Sequence, residues 1–413
     1  MSCLMRSLIL LSIRSDPVMG LLSVHSTPGV SMLAQEVLVV GAGIGGLGIA
    51  ALLGRRGVQV EVVEARADSS VPGVGINQPA NSLRAMAEIG VLDDCLRVGY
   101  SHSGNTFFDW HGNLIVDCPS RLGEEHIPAN SALARAELKR ILLHAAEGAG
   151  AKIRYGVTVE QLIDEGERVL VRTSDGASDY YDLVIGCDGA KSTMRELVAG
   201  PGHDPVFTGY GVWRKTLPRH SSVTNPLAFQ GDRTKAGVIP LSQDSMYLFL
   251  VTPEPGNPRH HPADFATLLT TRLAGYEGLI GELRDSIDRP DGIVYSPLSE
   301  VLLPAPWNRG LLIVLGDAAH LCAPHLTQGA GMALGDAVVL AEELERGKDF
   351  ETAMNPFMNR RYERVKLVHD ASHAILAAEM AIDATALPAA CEHMRVTLPA
   401  QTAAVEDALN LPF

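Results

Sequence analysis

The stretch from Glu36 to Glu64, "EVLVVGAGIGGLGIAALLGRRGVQVEVVE", limits the folds open to this chain more than any other. A run of Val and Leu reads as a buried strand, a glycine turn follows, an apolar helix ends at Gly57, and a second strand alternates into Glu64. Strands joined through a helix in this way lie parallel, with a right-handed crossover. Gly41, Gly43 and Gly46 stand at G-x-G-x-x-G spacing, with Gly45 beside the last. The first allows the tight turn, the second lets a pyrophosphate approach the backbone, and the third lets the helix pack on the strand. Glu64 falls 23 residues after Gly41, where a carboxylate can accept the ribose hydroxyls. The unit predicts dinucleotide binding and leaves both a nicotinamide dehydrogenase and a flavoprotein open.

Downstream, "GVGINQPANSLRAMAEIGVLDDCL" reads as a glycine-rich loop before an amphipathic helix, and "ARAELKRILLHAAEGAG" as a further helix closed by glycine. "KIRYGVTVEQLI" returns as strand. Between about Pro205 and Pro304, short apolar runs separated by turn residues predict an antiparallel meander. "GLLIVL" then leads back to the first fold. The expected class is α/β: a parallel Rossmann-type domain interrupted by a mostly antiparallel sheet domain, with a helical C-terminal segment. Expected boundaries are an extension over 1–35, the dinucleotide domain over 36–204 and 305–350, the inserted sheet over 205–304, and C-terminal helices over 351–413.

The formal charge of −14 opposes a nucleic-acid partner and offers no positive field to an anionic membrane. No apolar run reaches the roughly 18 to 20 residues that span a bilayer. Six cysteines without C-x-x-C spacing suggest neither a zinc knot nor a disulfide framework, so a reducing cytoplasm is expected. The opening "MSCLMRSLILLSIRSDPVMG" has a weak signal-like character without a cleavage site, and is read as an extension or an over-long start, with Met19 or Met32 as the true beginning.

Two further motifs separate the open readings. "LVIGCDGAKSTMR" spans 183–195, and "GDAAHLCAPHLTQGAGMALGDAVVLAEEL" begins at Gly316. The latter places an acidic residue, a proline and clustered glycines before a helix, whose unpaired N–H groups favour anionic or electron-rich partners. Together with the opening unit these motifs resemble, over roughly Glu36 to Ser372, the single-component FAD-dependent aromatic hydroxylases, the p-hydroxybenzoate hydroxylase-like family. "CAPHLTQG" resembles the pyridine-ring hydroxylases of the 6-hydroxynicotinate 3-monooxygenase type more than the phenol-carboxylate hydroxylases.

That resemblance implies FAD as cofactor and NAD(P)H as co-substrate. Asp317 would accept hydrogen bonds from the ribityl chain, and the backbone around Gly329, Ala330 and Gly331 would face the pyrimidine edge of the flavin. It also implies cofactor contacts for Arg66, Arg135, Val159 and Asp188. A helix cap stays open for Asp317 and Asp188, and a surface salt bridge for Arg135. Where many relatives carry Asn after the last glycine, this chain has Met332, so only backbone contacts transfer there.

For the substrate, the resemblance points to Asn77 with Gln78, to Tyr210, Trp213 and Tyr247 packing on a ring, and to His325 near the reacting end; plain core stays open for the three aromatic residues and a structural role for His325. The implied reaction is hydroxylation of an aromatic or N-heteroaromatic ring through a C4a-hydroperoxyflavin, with O2, in a dry cavity and without metal. The implied partners are a small ring substrate and O2, with the chain as a monomer or homodimer. A halogenase is opposed by "RKTLP" after Trp213 in place of a second tryptophan. A same-fold reductase and a flavin-binding module without turnover remain open. "HDASH" has zinc-like spacing, but no third ligand accompanies it, and "RHH" at 259–261 is read as solvated.

Overall fold

Strand Glu36–Val40 is covered on both faces, which is why its sequence is an unbroken apolar run rather than an alternating one. In the computed structural model, which describes residues 32–69 and 74–413, this strand lies inside a six-stranded sheet. Gln59–Glu64 and then Lys152–Tyr155 flank it on one side, and Leu183–Gly186, Leu312–Val314 and Asn308–Arg309 on the other. All neighbours run parallel except the last pair. Helix Ile44–Arg55 joins the first two strands and packs against helices Arg135–Gly148 and Gly329–Arg346. The signal-like opening and Met19 lie outside the described residues. Residues 32–35, expected in the extension, belong to the core instead: Met32 and Ala34 are buried and the Leu33 N–H donates to the Leu344 carbonyl.

The second sheet has seven strands, in the order Ile293–Glu300, Val206–Pro218, Ser245–Pro253, Thr234–Pro240, Leu227–Gly231, Gly104–Asp109, Leu114–Pro119. Its last two strands come from a segment assigned above to the dinucleotide domain. Their hairpin closes on Asp109, whose carboxylate accepts the N–H groups of His111 and Asn113, a local side-chain turn that no glycine pair announces. Leu227–Gly231 pairs in parallel with Gly104–Asp109, and the other contacts are antiparallel. Helices Phe265–Arg272 and Gly278–Asp285, which the sequence reading did not distinguish from the meander, cover the outer face.

"GVGINQP", read as a loop, contains strand Gly75–Pro79, paired with Asn130–Ala134 in a three-stranded sheet completed by Tyr100–His102. The C-terminal segment is two helices, Phe350–Met380 and Leu387–Leu409, the first opened by a reciprocal Asp349–Thr352 capping box. Among the described residues no helix is long and apolar enough to cross a membrane.

Candidate cofactor and substrate site

The three motifs meet. Gly41 has φ +107°, and a Cβ there would lie 2.4 Å from the Cys187 carbonyl oxygen, so the first motif sits directly on the second. A Cβ on Gly46 would lie 2.0 Å from the Gly41 oxygen, which fixes the helix against its own turn. Ala333 Cβ lies 3.3 Å from the Cβ position of Gly45 and 3.0 Å from that of Gly316, joining the first motif to the third. Arg195, buried, joins the second to the third: its guanidinium donates to the carbonyls of Ala190, Asp317 and Ala318 at 3.0, 3.1 and 2.8 Å. The sequence reading had Arg195 only as part of a motif. A buried guanidinium needs several acceptors, and this one finds them across two turns.

At the glycine turn, Gly43 caps helix Ile44–Arg55 without a side-chain hydrogen bond, and the nearest atom to its Cβ position is 4.0 Å away. The helix N-terminus is therefore open to an anion. Glu64 is pre-set by two backbone donors, Ala42 N–H at 2.9 Å and Arg66 N–H at 3.0 Å, and its oxygens retain acceptor capacity for hydroxyl groups. Arg66 is exposed beside it, and Gly156 N–H donates to the Arg66 carbonyl. Val157 N–H donates to the Glu64 carbonyl, so half-buried Val159, two residues on, follows the same end of the sheet. Arg135 begins helix Arg135–Gly148 and is exposed. Lys139, one turn on, was not singled out by any motif, yet it is buried and senses Glu64, Arg66, Asp68 and Arg135. Burial chiefly lowers its pKa.

Asp317 follows Gly316, at φ +59°, and is half-buried. Its carboxylate accepts no hydrogen bond among the described residues and does not cap the short helix it begins. Helix Gly329–Arg346 likewise lacks a side-chain cap, because Gln328 turns instead to a reciprocal amide pair with Asn81 at 2.8 and 3.1 Å. The N–H groups at Gly329, Ala330 and Gly331 are left at an open, positive helix end. No atom lies within 4 Å of a Cβ on Gly329, whereas one on Gly331 would meet Ser82 Oγ at 1.9 Å. Ser82 Oγ, Gln78 Oε1 and Ser131 Oγ are buried without partners. Two uncapped helix ends, a free carboxylate and unpartnered polar atoms fit a long, polar-edged dinucleotide such as FAD.

The Asp188 carboxylate has its partners close in sequence. Its carboxylate accepts the Thr193 N–H at 2.8 Å, the Met194 N–H at 3.1 Å and the Ser192 hydroxyl at 2.5 Å. These donors all lie at the start of helix Thr193–Ala199, which is the helix-cap role left open for Asp188.

The substrate candidates divide. Successive side chains of a strand face opposite sides, and along Val206–Pro218 this puts Tyr210, Val212 and Arg214 on the inner face, toward strand Gly75–Pro79 and the loop at Ala323. Trp213 falls on the outer face. It is fully buried beside Tyr295 and Phe265, with ring centroids at 4.6 and 5.5 Å, and its indole N–H reaches Thr252 Oγ1 and Glu254 Oε1. Strand parity puts Trp213 in the outer core, the plain packing role, and on the opposite face from Tyr210.

His325 is also enclosed. Its side chain is 2% exposed, with Nε2 3.6 Å from Glu379 Oε2, and Glu379 holds Lys235 Nζ at 2.5 Å. Burial, then the Lys235 charge, lowers its pKa to about 3, so the ring is neutral. The Pro324 turn packs against helix Phe350–Met380 and directs His325 into the junction between the sheet and that helix.

Asn77 lies between His102 Nε2 at 2.9 Å and Thr327 Oγ1 at 3.4 Å, with His102 Nδ1 3.2 Å from the Gly104 carbonyl. Burial lowers the His102 pKa to about 4, so the imidazole carries one N–H. If that N–H serves Gly104, the Asn77 amide must present its NH2 to Nε2 and its oxygen to the Thr327 hydroxyl. Sequence reasoning missed His102, which no motif contains. The histidine clusters form no metal site: among the described residues no group of His, Cys, Asp and Glu suits one. His373 bonds Glu300, and His260, expected in solvent, is packed on Trp213 and bonds Glu254. Two surface clefts of about 400 and 450 Å3, around Thr224 and Asn225, include none of the cofactor residues.

Asp317→Ala is expected to weaken FAD retention at least tenfold while leaving the melting temperature of FAD-free protein within about 2 °C, because no internal bond is lost. Wild-type FAD affinity in the variant, measured by titration of apoprotein, contradicts the role.

An FAD binding domain family model matches residues 34–372. The chain is 31% identical over 342 residues to 2-heptyl-3-hydroxy-4(1H)-quinolone synthase of Pseudomonas aeruginosa, covering 82% of this chain and 88% of that protein. It is 28% identical over 375 residues to 6-hydroxynicotinate 3-monooxygenase of Pseudomonas fluorescens, covering 82% and 91%. The crystal structure of Klebsiella pneumoniae HpxO complexed with FAD and uric acid has a TM-score of 0.81 at 22% identity, over 91% of this chain and 96% of that one. At that identity the likeness speaks for the fold.

Proposed function

This chain belongs to the FAD binding domain family, with FAD-dependent monooxygenases among its relatives, and on that premise we propose that it hydroxylates an aromatic or N-heteroaromatic ring with NAD(P)H and O2. The observation that carries the reading is the meeting of three motifs around two uncapped helix ends and the free Asp317 carboxylate. FAD, when bound, supplies the passage of electrons from NAD(P)H to O2 and of one oxygen atom to the ring.

The protein's part is to bind, orient and keep dry. The open N-terminus at Gly43 would hold the diphosphate, Glu64 the ribose and Asp317 the ribityl chain. The helix end at Gly329 to Gly331 would stabilise negative charge on the pyrimidine edge, by about 0.3–2 kcal/mol on dipole grounds. Val212, Val251 and Phe249 of the inner face would form an apolar floor under the ring. The neutral His102 would hold the Asn77 amide, which presents a fixed polar group at the edge of that floor.

Anaerobic mixing of the purified flavoprotein with NADH or NADPH tests the proposal, using phenols, hydroxypyridines and hydroxyquinolones as effectors. At least one class is expected to accelerate flavin bleaching tenfold or more and to yield a product gaining one oxygen atom in air. A protein that takes up no FAD, or bleaching indifferent to every ring, overturns it.

A further inference from the structure

The backbone between Asp317 and Gly329 links two points that the cofactor reading uses, the carboxylate for the ribityl chain and the helix end for the pyrimidine edge. Segment 321–328 would therefore run alongside the flavin ring. It holds one short turn, Pro324–Leu326, and closes on Thr327 at φ +55°, a left-handed conformation that a β-branched residue adopts only when its surroundings impose it. Asn77 holds the Thr327 end. The other end is held from strand Ile293–Glu300 and the residues after it. Leu303 N–H donates to the Ala319 carbonyl and Val301 N–H to the Leu321 carbonyl, both at 2.9 Å. There the backbone pairing stops, and Pro324 brings no N–H of its own.

Glu300 carries the pairing one step further with its side chain. Its Oε1 accepts the Ala323 N–H at 3.3 Å, and its Oε2 lies 2.7 Å from Nδ1 of His373, on helix Phe350–Met380. Taking a carboxylate out of water is costly, yet Glu300 is 9% exposed and both of its oxygens are engaged by this segment and this helix. Its charge reaches the site: burial, then Asp317 and Glu300, push the Cys322 thiol up to about 12. We propose that Glu300 is a positioning residue for the flavin, fastening the segment before Pro324 between the sheet and the C-terminal helix so that water is kept from the ring. The inference rests on the FAD placement in the reading above and deepens it, since the inserted sheet then shields the flavin as well as flooring the substrate.

The test uses the FAD-loaded protein without substrate, with iodide at fixed ionic strength as collisional quencher of the flavin fluorescence. In Glu300→Ala the quenching constant is expected to rise at least fivefold. Glu300→Gln loses the same charge but keeps an oxygen for the Ala323 N–H, and is expected to stay within twofold of wild type. His373→Ala removes a side chain that is 60% exposed, so it is expected to melt within about 2 °C of wild type while its quenching rises at least twofold. FAD affinity is expected to stay within threefold in all three, because the Gly43 turn and Glu64 are untouched. A merely structural Glu300 lowers the melting temperature and leaves the quenching alone. A smaller rise in Glu300→Ala, an equal rise in Glu300→Gln, or a greater loss of FAD affinity each overturns the proposal. If Glu300→Ala does not fold, the other two variants decide, and His373→Ala quenched like wild type overturns it. A protein that takes up no FAD defeats the cofactor reading and the inference with it, whereas a yellow protein whose variants are all quenched like wild type defeats the inference alone.

Discussion

Asp336→Ala is expected to cost about 3–5 kcal/mol of stability, the range for removing one partner of a buried charge cluster, and to abolish FAD retention. Asp336 is completely buried and accepts three hydrogen bonds, from Gly316 N–H at 3.0 Å, His320 Nε2 at 2.6 Å and Arg361 Nε at 2.8 Å. Removing it strands the Arg361 guanidinium, also fully buried, whose Nη1 already lacks a partner. It also frees the Gly316 N–H, and with it the turn that presents Asp317. Burial alone would raise the Asp336 pKa, but His320, Arg361 and the Gly316 N–H outweigh it and hold the carboxyl below its ordinary 3.8. A carboxyl lowered in the fold contributes stability above about pH 4 and loses it as pH falls through the folded value. Denaturant titrations from pH 7 to pH 3 should therefore show the deficit of the variant shrinking at the acid end. A deficit under about 1 kcal/mol at pH 7 refutes the role.

Gly46→Ala and Gly43→Ala, compared side by side, separate a glycine needed by the fold from one needed by the ligand. At Gly46 the added methyl would overlap the Gly41 oxygen, and both are backbone, so helix Ile44–Arg55 must move off its strand. The expected result is a loss above about 4 kcal/mol, in the exceptional range for one substitution. At Gly43 the methyl meets open space, so FAD-free protein is expected to melt within about 2 °C of wild type while FAD affinity falls at least tenfold. Calorimetry and FAD titration of both variants decide it. A folded, yellow Gly46→Ala protein sinks the packing argument, and normal FAD affinity in Gly43→Ala sinks the diphosphate argument.

What could be read in the sequence was what is local and periodic. The first strand, its helix and the second strand appear at the expected residues because propensity, glycine placement and burial agree there. What stayed open in it turns on information that is not local. Trp213 and Arg214 are adjacent in sequence, and only the parity of the strand decides that the first enters the outer core and the second faces inward. Asp188 is a motif residue whose carboxylate is claimed by neighbours four to six positions on. His325 carries a suggestive neighbour in Pro324, yet its surroundings come from Lys235 and Glu379, 90 residues before it and 54 after. His102 and Lys139 lie in no motif, and their burial beside Asn77 and Glu64 exists only once distant strands pair.

The edge at which Leu227–Gly231 lies beside Gly104–Asp109 bears on engineering this scaffold. A graft of 205–304 from a relative would arrive without two of its own strands and would have to accept the host's hairpin as a neighbour, down to the donor at Thr106 N–H and the acceptor at Pro226 O. Ring selectivity in such a hybrid would follow the seam at that edge as well as the transplanted floor, so 104–119 belongs in any exchanged module.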